Sequence, residues 1–282
     1  MKLSVIIPAY NEEKLLAYCL ENLAVALAAV TDPAFETELI VVDNNSTDRT
    51  AEIAKEAGAA VAFEPVNQIA RARNRGAEAA VGEWLLFVDA DTWPGVAVLS
   101  RLRAVIERGD AVGGGSTMRI DSIPRAARIL EMLWNFISPR FGWAAGGFLF
   151  CRADAFRELG GFSGELFASE EIDFSRRLGR WGRARGLHFV ILRGSPVLSS
   201  GRKVKLYSGR EILVHTWRMF RSPRKALRSR EDCKIWYDGR RLEKSAATTS
   251  AACFSGSNAL RKSGRSSARI SRSCRTACIC CA

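Results

Sequence analysis

The stretch Glu83-Trp84-Leu85-Leu86-Phe87-Val88-Asp89-Ala90-Asp91 decides how this chain folds and where its chemistry lies. Trp84 to Val88 is an unbroken apolar run, and such a run reads as a strand buried on both faces. Asp89 and Asp91 follow two residues apart, so they share one side of an extended chain. Two close carboxylates repel each other, and a hard divalent cation, Mg2+ or Mn2+, is the expected remedy. An ion held this way keeps waters and takes its other ligands from substrate phosphates. A pair of solvated loop acids is the plain alternative, so the rest of the sequence has to decide.

Outward from this point, short apolar strands alternate with helical patterns. The spacing predicts strands at 3–8, 39–43, 59–63 and 84–89, and helices at about 12–29, 48–57 and 68–80. Ser46-Thr47-Asp48 offers an N-cap to the second helix. Strand–helix alternation with fully apolar strands implies an α/β, Rossmann-like, mostly parallel sheet covered by helices on both faces. Ligands of such sheets bind beyond the carboxyl ends of the strands. Three strand ends carry polar chemistry here: Pro8-Ala9-Tyr10-Asn11-Glu12, Asp43-Asn44-Asn45-Ser46 and Asp89-Ala90-Asp91. The second half reads as mixed α+β. A helix at about 124–137 puts Ile129, Leu130, Leu133, Trp134 and Ile137 on one side. Gly146-Gly147 leads a strand whose backbone needs close approach or unusual dihedrals, and a helix at about 170–181 follows.

Charge is unevenly spread over the 282 residues. The chain totals +12, yet residues 1–201 hold 22 Lys+Arg against 25 Asp+Glu. Residues 202–241 hold 13 against 4, and 242–282 hold 7 against 1. A mildly acidic body argues against a nucleic-acid partner, whereas the basic segment after it suits an anionic membrane. Cys19, Cys151 and Cys233 are scattered, and Cys253, Cys274, Cys278, Cys280 and Cys281 have no paired zinc-ligand spacing. A reducing compartment without disulfides is expected. The chain runs straight into a strand, leaving no room for a signal peptide. No run reaches the ~20 apolar residues of a membrane span. Cytoplasmic residence, with peripheral contact at the inner face of the membrane, follows as an expectation. After residue 241 the composition collapses to Ser, Ala, Arg and Cys without hydrophobic period. It reads as a disordered tail, with a frameshifted translation as another origin of such a sequence.

Other residues gain meaning from the expected crevice. Asp43 can accept hydrogen bonds from the ring N–H of a uracil or guanine; equally, Asp is a favoured turn residue. Arg71, Arg73 and Arg75 at alternate positions cannot share one helical face. Either that helix is a solvated basic one, or Arg73 turns inward to a nucleotide while Asn74 and Gly76 allow tight packing. Ser169-Glu170-Glu171-Ile172-Asp173 stacks three acids at a helix start, where the macrodipole favours them. Crowded in a cleft, such acids raise at least one pKa, which suits a general base. Glu171, Glu170 and Asp173 are the candidates, with Arg176 and Arg177 placed for helical pairing. Gly201-Arg202-Lys203-Val204-Lys205 can fold over a diphosphate and stabilise a leaving group, or simply open the basic region. In 209–222, Ile212, Leu213, Trp217 and Phe220 recur at helical spacing among arginines. That pattern suits an interfacial membrane helix or a terminal helix docked on the domain.

Taken in order, these motifs resemble the family 2 glycosyltransferases of GT-A fold, over about residues 1–205. Val5-Ile6-Ile7-Pro8-Ala9-Tyr10-Asn11-Glu12-Glu13 looks like the family's opening strand and nucleotide-contacting loop, implying that Pro8, Ala9, Tyr10 and Glu12 sit beside the nucleotide. Val42-Asp43-Asn44-Asn45-Ser46-Thr47-Asp48 is similar to its second strand end, implying that Asp43 contacts the base. Ala72-Arg73-Asn74-Arg75-Gly76 resembles the segment before the metal strand, implying a nucleotide-sugar role for Arg73. Phe87-Val88-Asp89-Ala90-Asp91 looks like the Asp-x-Asp motif, implying that Asp91, with Asp89, handles the metal and the sugar diphosphate, and that Ala90 sits beside the nucleotide sugar. The family usually shows Glu-Asp before the helix; Glu170-Glu171 stands here, so Glu171 takes the base position with one extra methylene. The resemblance implies a metal-dependent, mostly inverting transfer from a UDP- or GDP-linked sugar to an acceptor hydroxyl. Gly146 and Gly147 would border the acceptor, and a lipid-linked acceptor fits the basic segment at 202–241.

The expected organisation is a nucleotide-sugar half at about 1–115 and an acceptor half at about 116–205. A basic amphipathic helical extension at 206–241 and the 242–282 tail complete it. Two other classes compete: a degenerate nucleotide-sugar-binding protein, and a basic membrane or nucleic-acid binder without catalysis. A nucleotidyltransferase would open on a Gly-rich, Arg-ending loop, which Pro8-Ala9-Tyr10-Asn11-Glu12 lacks.

Overall fold

The alternation of side chains along the first strand splits the interior in two. In the computed structural model, which describes residues 1–202, 206, 226–233 and 237, β1 (Lys2–Ala9) sends Leu3, Val5 and Ile7 into one core and Ile6 into the other. Apolar side chains on both faces leave no wet side, so helices must cover both. On the first face lie α1 (Leu16–Ala28) and α4 (Val96–Arg108), contributing Leu20, Leu23, Leu99 and Leu102. On the second lie α3 (Ile69–Ala79), α6 (Ala153–Glu158) and α7 (Glu170–Arg183), contributing Ala72, Phe156, Phe174 and Leu178.

Beside β1 stand β2 (Glu36–Asp43), β3 (Ala60–Phe63) and β4 (Trp84–Val88), all parallel, in the order β3-β2-β1-β4. The sheet continues as β7-β6-β8-β5, giving eight strands. Here β7 (Phe148–Arg152) runs antiparallel to β4 and to β6 (Ala111–Ile120). The next strand, β8 (His188–Ser199), is parallel to β6, and the two-residue β5 (Thr92–Trp93) pairs antiparallel with β8. The expected parallel order thus holds for the first half, and the second half is mixed. The helix α2 (Thr50–Glu56) starts where the Asp48 carboxylate accepts the Thr50 N–H at 3.0 Å.

Two glycines set close approaches. At Gly76 a Cβ would meet Ile6 Cγ2 at 2.3 Å, so α3 lies nearer the sheet than any other residue allows. At Gly114 a Cβ would meet the Val190 carbonyl at 1.8 Å, which admits β6 between β7 and β8.

Cys19, Cys151 and Cys233 are buried free thiols. Among the described residues no helix is long and apolar enough to cross a membrane. Residues Met1–Arg241 form one unit. Most of the expected 206–241 extension, with Lys203, lies outside the described residues, as does the whole 242–282 tail. Where the chain after 206 is described, it packs on the loop before α7. Phe167 N–H donates to the Leu227 carbonyl at 2.8 Å, and Cys233 and Tyr237 bury against Ala168.

Candidate active site

A cavity of about 360 Å3 opens where the carboxyl ends of β1 and β4 meet the start of α7. Pro8, Ala9, Tyr10 and Glu12 line it from the β1 end, and Asp89, Ala90 and Asp91 from the β4 end. Gly146 and Gly147 before β7, Arg73 of α3, Glu170 and Glu171 of α7, and Arg202 after β8 also line it, whereas Asp43 and Asp173 of the expected residues do not. Residues with no local sequence signal also enter it, notably Met118 and Ile120 at the far end of β6.

Arg73 ties the site together. Only 3% exposed, its guanidinium donates to Glu170 Oε1 at 2.8 Å, Asp89 Oδ1 at 2.9 Å and the Gly146 carbonyl at 3.2 Å. It also lies 5.4 Å from the Phe162 ring centroid. Burial opposes an arginine's charge, but Asp89 and Glu170 outweigh it, so its pKa rises above the usual value. A buried charge persists only when paired this way. Arg73 does turn inward, as one reading of its helix required. Its hydrogen bonds, however, go to the protein's own carboxylates and a carbonyl. Arg71 pairs instead with Glu64 at 3.0 Å and Arg75 with Glu78 at 3.1 Å.

This tie separates the three acids of α7. The Glu170 carboxylate is buried and held by Arg73. Asp173 pairs with Arg177 at 2.8 Å and does not line the cavity. Glu171 lines the cavity, partly buried, and burial together with the charge of Glu170 pushes its carboxyl up to about 8. A carboxylate of that basicity can take a proton from a hydroxyl near neutral pH.

Asp91 is 5% exposed and faces Arg202 across 3.1 Å. The same guanidinium forms a two-pronged pair with Glu12. Its charge stands beside Asp91 where a cation's charge would otherwise be needed. Asp89 and Asp91 are the residues that could hold Mg2+ or Mn2+. Among the described residues no group of three or more His, Cys, Asp or Glu is placed to hold an ion. Two carboxylates nevertheless fit an ion of the kind that draws its other ligands from water and substrate phosphates.

Asp43, expected at the base, caps the end of its own strand. Its Oδ1 accepts the Ser46 N–H at 2.9 Å, closing the turn after β2, and Asp43 does not line the cavity. The next residue, Asn44, does line it, anchored by its amide to the Glu64 and Val66 carbonyls at 3.2 and 2.6 Å.

A parallel half-sheet joined to a mixed half, with the acids of two elements facing one strand-end cavity, defines the GT-A type of α/β fold. Solved structures agree. A mannosyltransferase from Pyrobaculum calidifontis, in complex with GDP-Man and Mn2+, superposes with TM-score 0.57 at 18% identity. The match covers 80% of this chain and 62% of that one. The chain belongs to glycosyl transferase family 2, whose model matches residues 4–159. Glycosyltransferase AglE of Haloferax volcanii is 32% identical over 187 residues, 62% of this chain and 60% of AglE. The undecaprenyl-phosphate 4-deoxy-4-formamido-L-arabinose transferase of Yersinia enterocolitica is 33% identical over 146 residues, 47% of this chain and 42% of that protein. The matches thus span 60% or less of each of these curated relatives.

Proposed function

We propose that this protein moves a sugar from a nucleoside diphosphate sugar, of UDP or GDP type, to an acceptor in a single inverting displacement. The observation that carries this reading is the shared cavity of Asp91, Arg202 and Glu171. It combines groups for a diphosphate with one raised carboxyl. In the proposed step the Glu171 carboxylate takes the proton of an acceptor hydroxyl. The oxygen bonds to the anomeric carbon as that carbon's bond to the diphosphate breaks. The diphosphate leaves with the bonding electrons, and Arg202 moves from Asp91 and Glu12 onto it. Bound at Asp91 and Asp89, Mg2+ or Mn2+ would supply further positive charge against the leaving group. Arg73 acts at one remove, by holding Asp89, Glu170 and Gly146 in register.

A lipid-linked acceptor, and peripheral membrane contact through 202–241, belong to the same proposal. They are supported by the undecaprenyl-phosphate relative and the basic segment. The test is calorimetric titration of the full chain with UDP- and GDP-linked sugars, with and without Mn2+, beside Asp91→Ala. Metal-dependent binding of one donor, lost in Asp91→Ala, is expected. A folded protein that binds neither donor would leave a degenerate domain as the better reading.

A further inference from the structure

The helix α5 (Arg125–Phe141) is inside out. Amphipathic helices of a globular protein turn their apolar stripe to the core, yet α5 docks on β6 by its polar side. Glu131 accepts the Ile120 N–H at 2.7 Å, and Asn135 both accepts from and donates to the Met118 backbone at 2.9 and 2.8 Å. Ser138, fully buried, donates to the Trp143 carbonyl. The outward side carries Ile129, Leu130, Met132, Leu133 and Phe136, of which Leu133, at 51%, is the least exposed. Phe141 continues this side at the C-terminal end. These side chains recur at intervals of three and four, so they form one stripe and not a scatter.

Charge indicates what covers the stripe. Glu131 is the sole acid of α5, and it is buried and paired with Arg128 at 2.7 Å. The exposed charges of the helix are Arg125 and Arg140, near its two ends. Met118 and Ile120, to which the helix is bonded, line the active-site cavity. Arg202, at the same cavity, begins the segment that holds 13 basic and 4 acidic residues. Apolar residues flanked by arginines, with no exposed acid between them, complement an anionic lipid surface. A second copy would bring the same arginines against each other.

We propose that the outward face of α5 is a membrane-docking surface, inserting Ile129, Leu133 and Phe136 below the headgroups of an anionic bilayer and setting the cavity mouth beside it. This deepens the reading of a membrane-borne acceptor, but docking is measured without turnover, so either can fail alone.

The test is flotation of the full chain with vesicles of phosphatidylglycerol and phosphatidylcholine in equal parts, beside the variant Ile129→Ser/Leu133→Ser/Phe136→Ser and the variant Arg125→Glu/Arg140→Glu. The serine variant should lose about a hundredfold in vesicle partition while melting where the wild type melts, because its side chains contact solvent and not core. The glutamate variant should lose its preference for phosphatidylglycerol over pure phosphatidylcholine. Equal partition of wild type and serine variant would overturn the proposal and leave docking to 202–241. A wild-type dimer made monomeric by the serines would assign the face to a second copy. A markedly lower melting temperature would assign it to a segment of the chain's own outside the described residues.

Discussion

Glu171→Gln should make this protein more stable and less active, by amounts that depend on pH. The Glu171 carboxyl titrates at about 8 in the fold against 4.5 for an ordinary glutamate. Between those values the folded chain keeps a proton that the unfolded chain has released. A raised carboxyl contributes fully below pH 4.5, and that contribution is lost as pH climbs through 8. At pH 7 the gap is about 2.5 units, and at about 1.36 kcal/mol per unit the ceiling is ~3.4 kcal/mol. Water reaching the partly buried carboxyl reduces this to about 1–3 kcal/mol. Glutamine keeps the shape and removes the titration. Its melting temperature should match wild type near pH 5 and exceed it by about 2–10 °C near pH 8. Thermal melts from pH 5 to 9, in EDTA and without donor, isolate the effect as a difference curve. Transfer should fall by about 10²–10⁴, with donor affinity kept, if Glu171 is the base. A melting difference that stays flat with pH, or a variant less stable at pH 8, would refute the assignment of the raised carboxyl to Glu171.

Two further substitutions probe the ties of the site. Arg73→Met strands the buried Glu170 carboxylate without a partner and should cost about 3–5 kcal/mol in urea denaturation; a loss below about 1 kcal/mol would show that the tie is dispensable. Arg202→Gln should act in opposite directions in two assays. Mn2+ alone should bind about tenfold more tightly once the guanidinium no longer competes for Asp91, while transfer falls by about 10² for want of charge on the diphosphate. Parallel losses in both assays would count against competition at Asp91.

Much of this protein was legible locally. Trp84 to Val88, Val5 to Ile7 and Ile40 to Val42 form buried strands because unbroken apolar runs have no stable exposed arrangement, and their parallel order follows from the intervening helices. Asp89, Asp91 and the acids from Glu170 onward could be located because strand ends and helix starts are themselves written in local spacing. Three decisions waited for the tertiary structure. The triple glycine Gly113-Gly114-Gly115 carries no side chains to show a strand period, yet it lies within β6, because neighbouring backbones crowd a strand that had to lose its side chains. The helical period grouped Ile129, Leu130, Leu133, Trp134 and Ile137 on one side of α5 but could not say that the first three would face outward with Met132 and Phe136 while Trp134 and Ile137 are half-buried. Local spacing offered Glu171, Glu170 and Asp173 together, but it could not show that Arg73, 97 residues away, pairs with Glu170, or that Arg177 pairs with Asp173. Periodicity is a property of the chain's own neighbours. The fate of a charge or an apolar face depends on what lies across space from it, and only the folded chain supplies that.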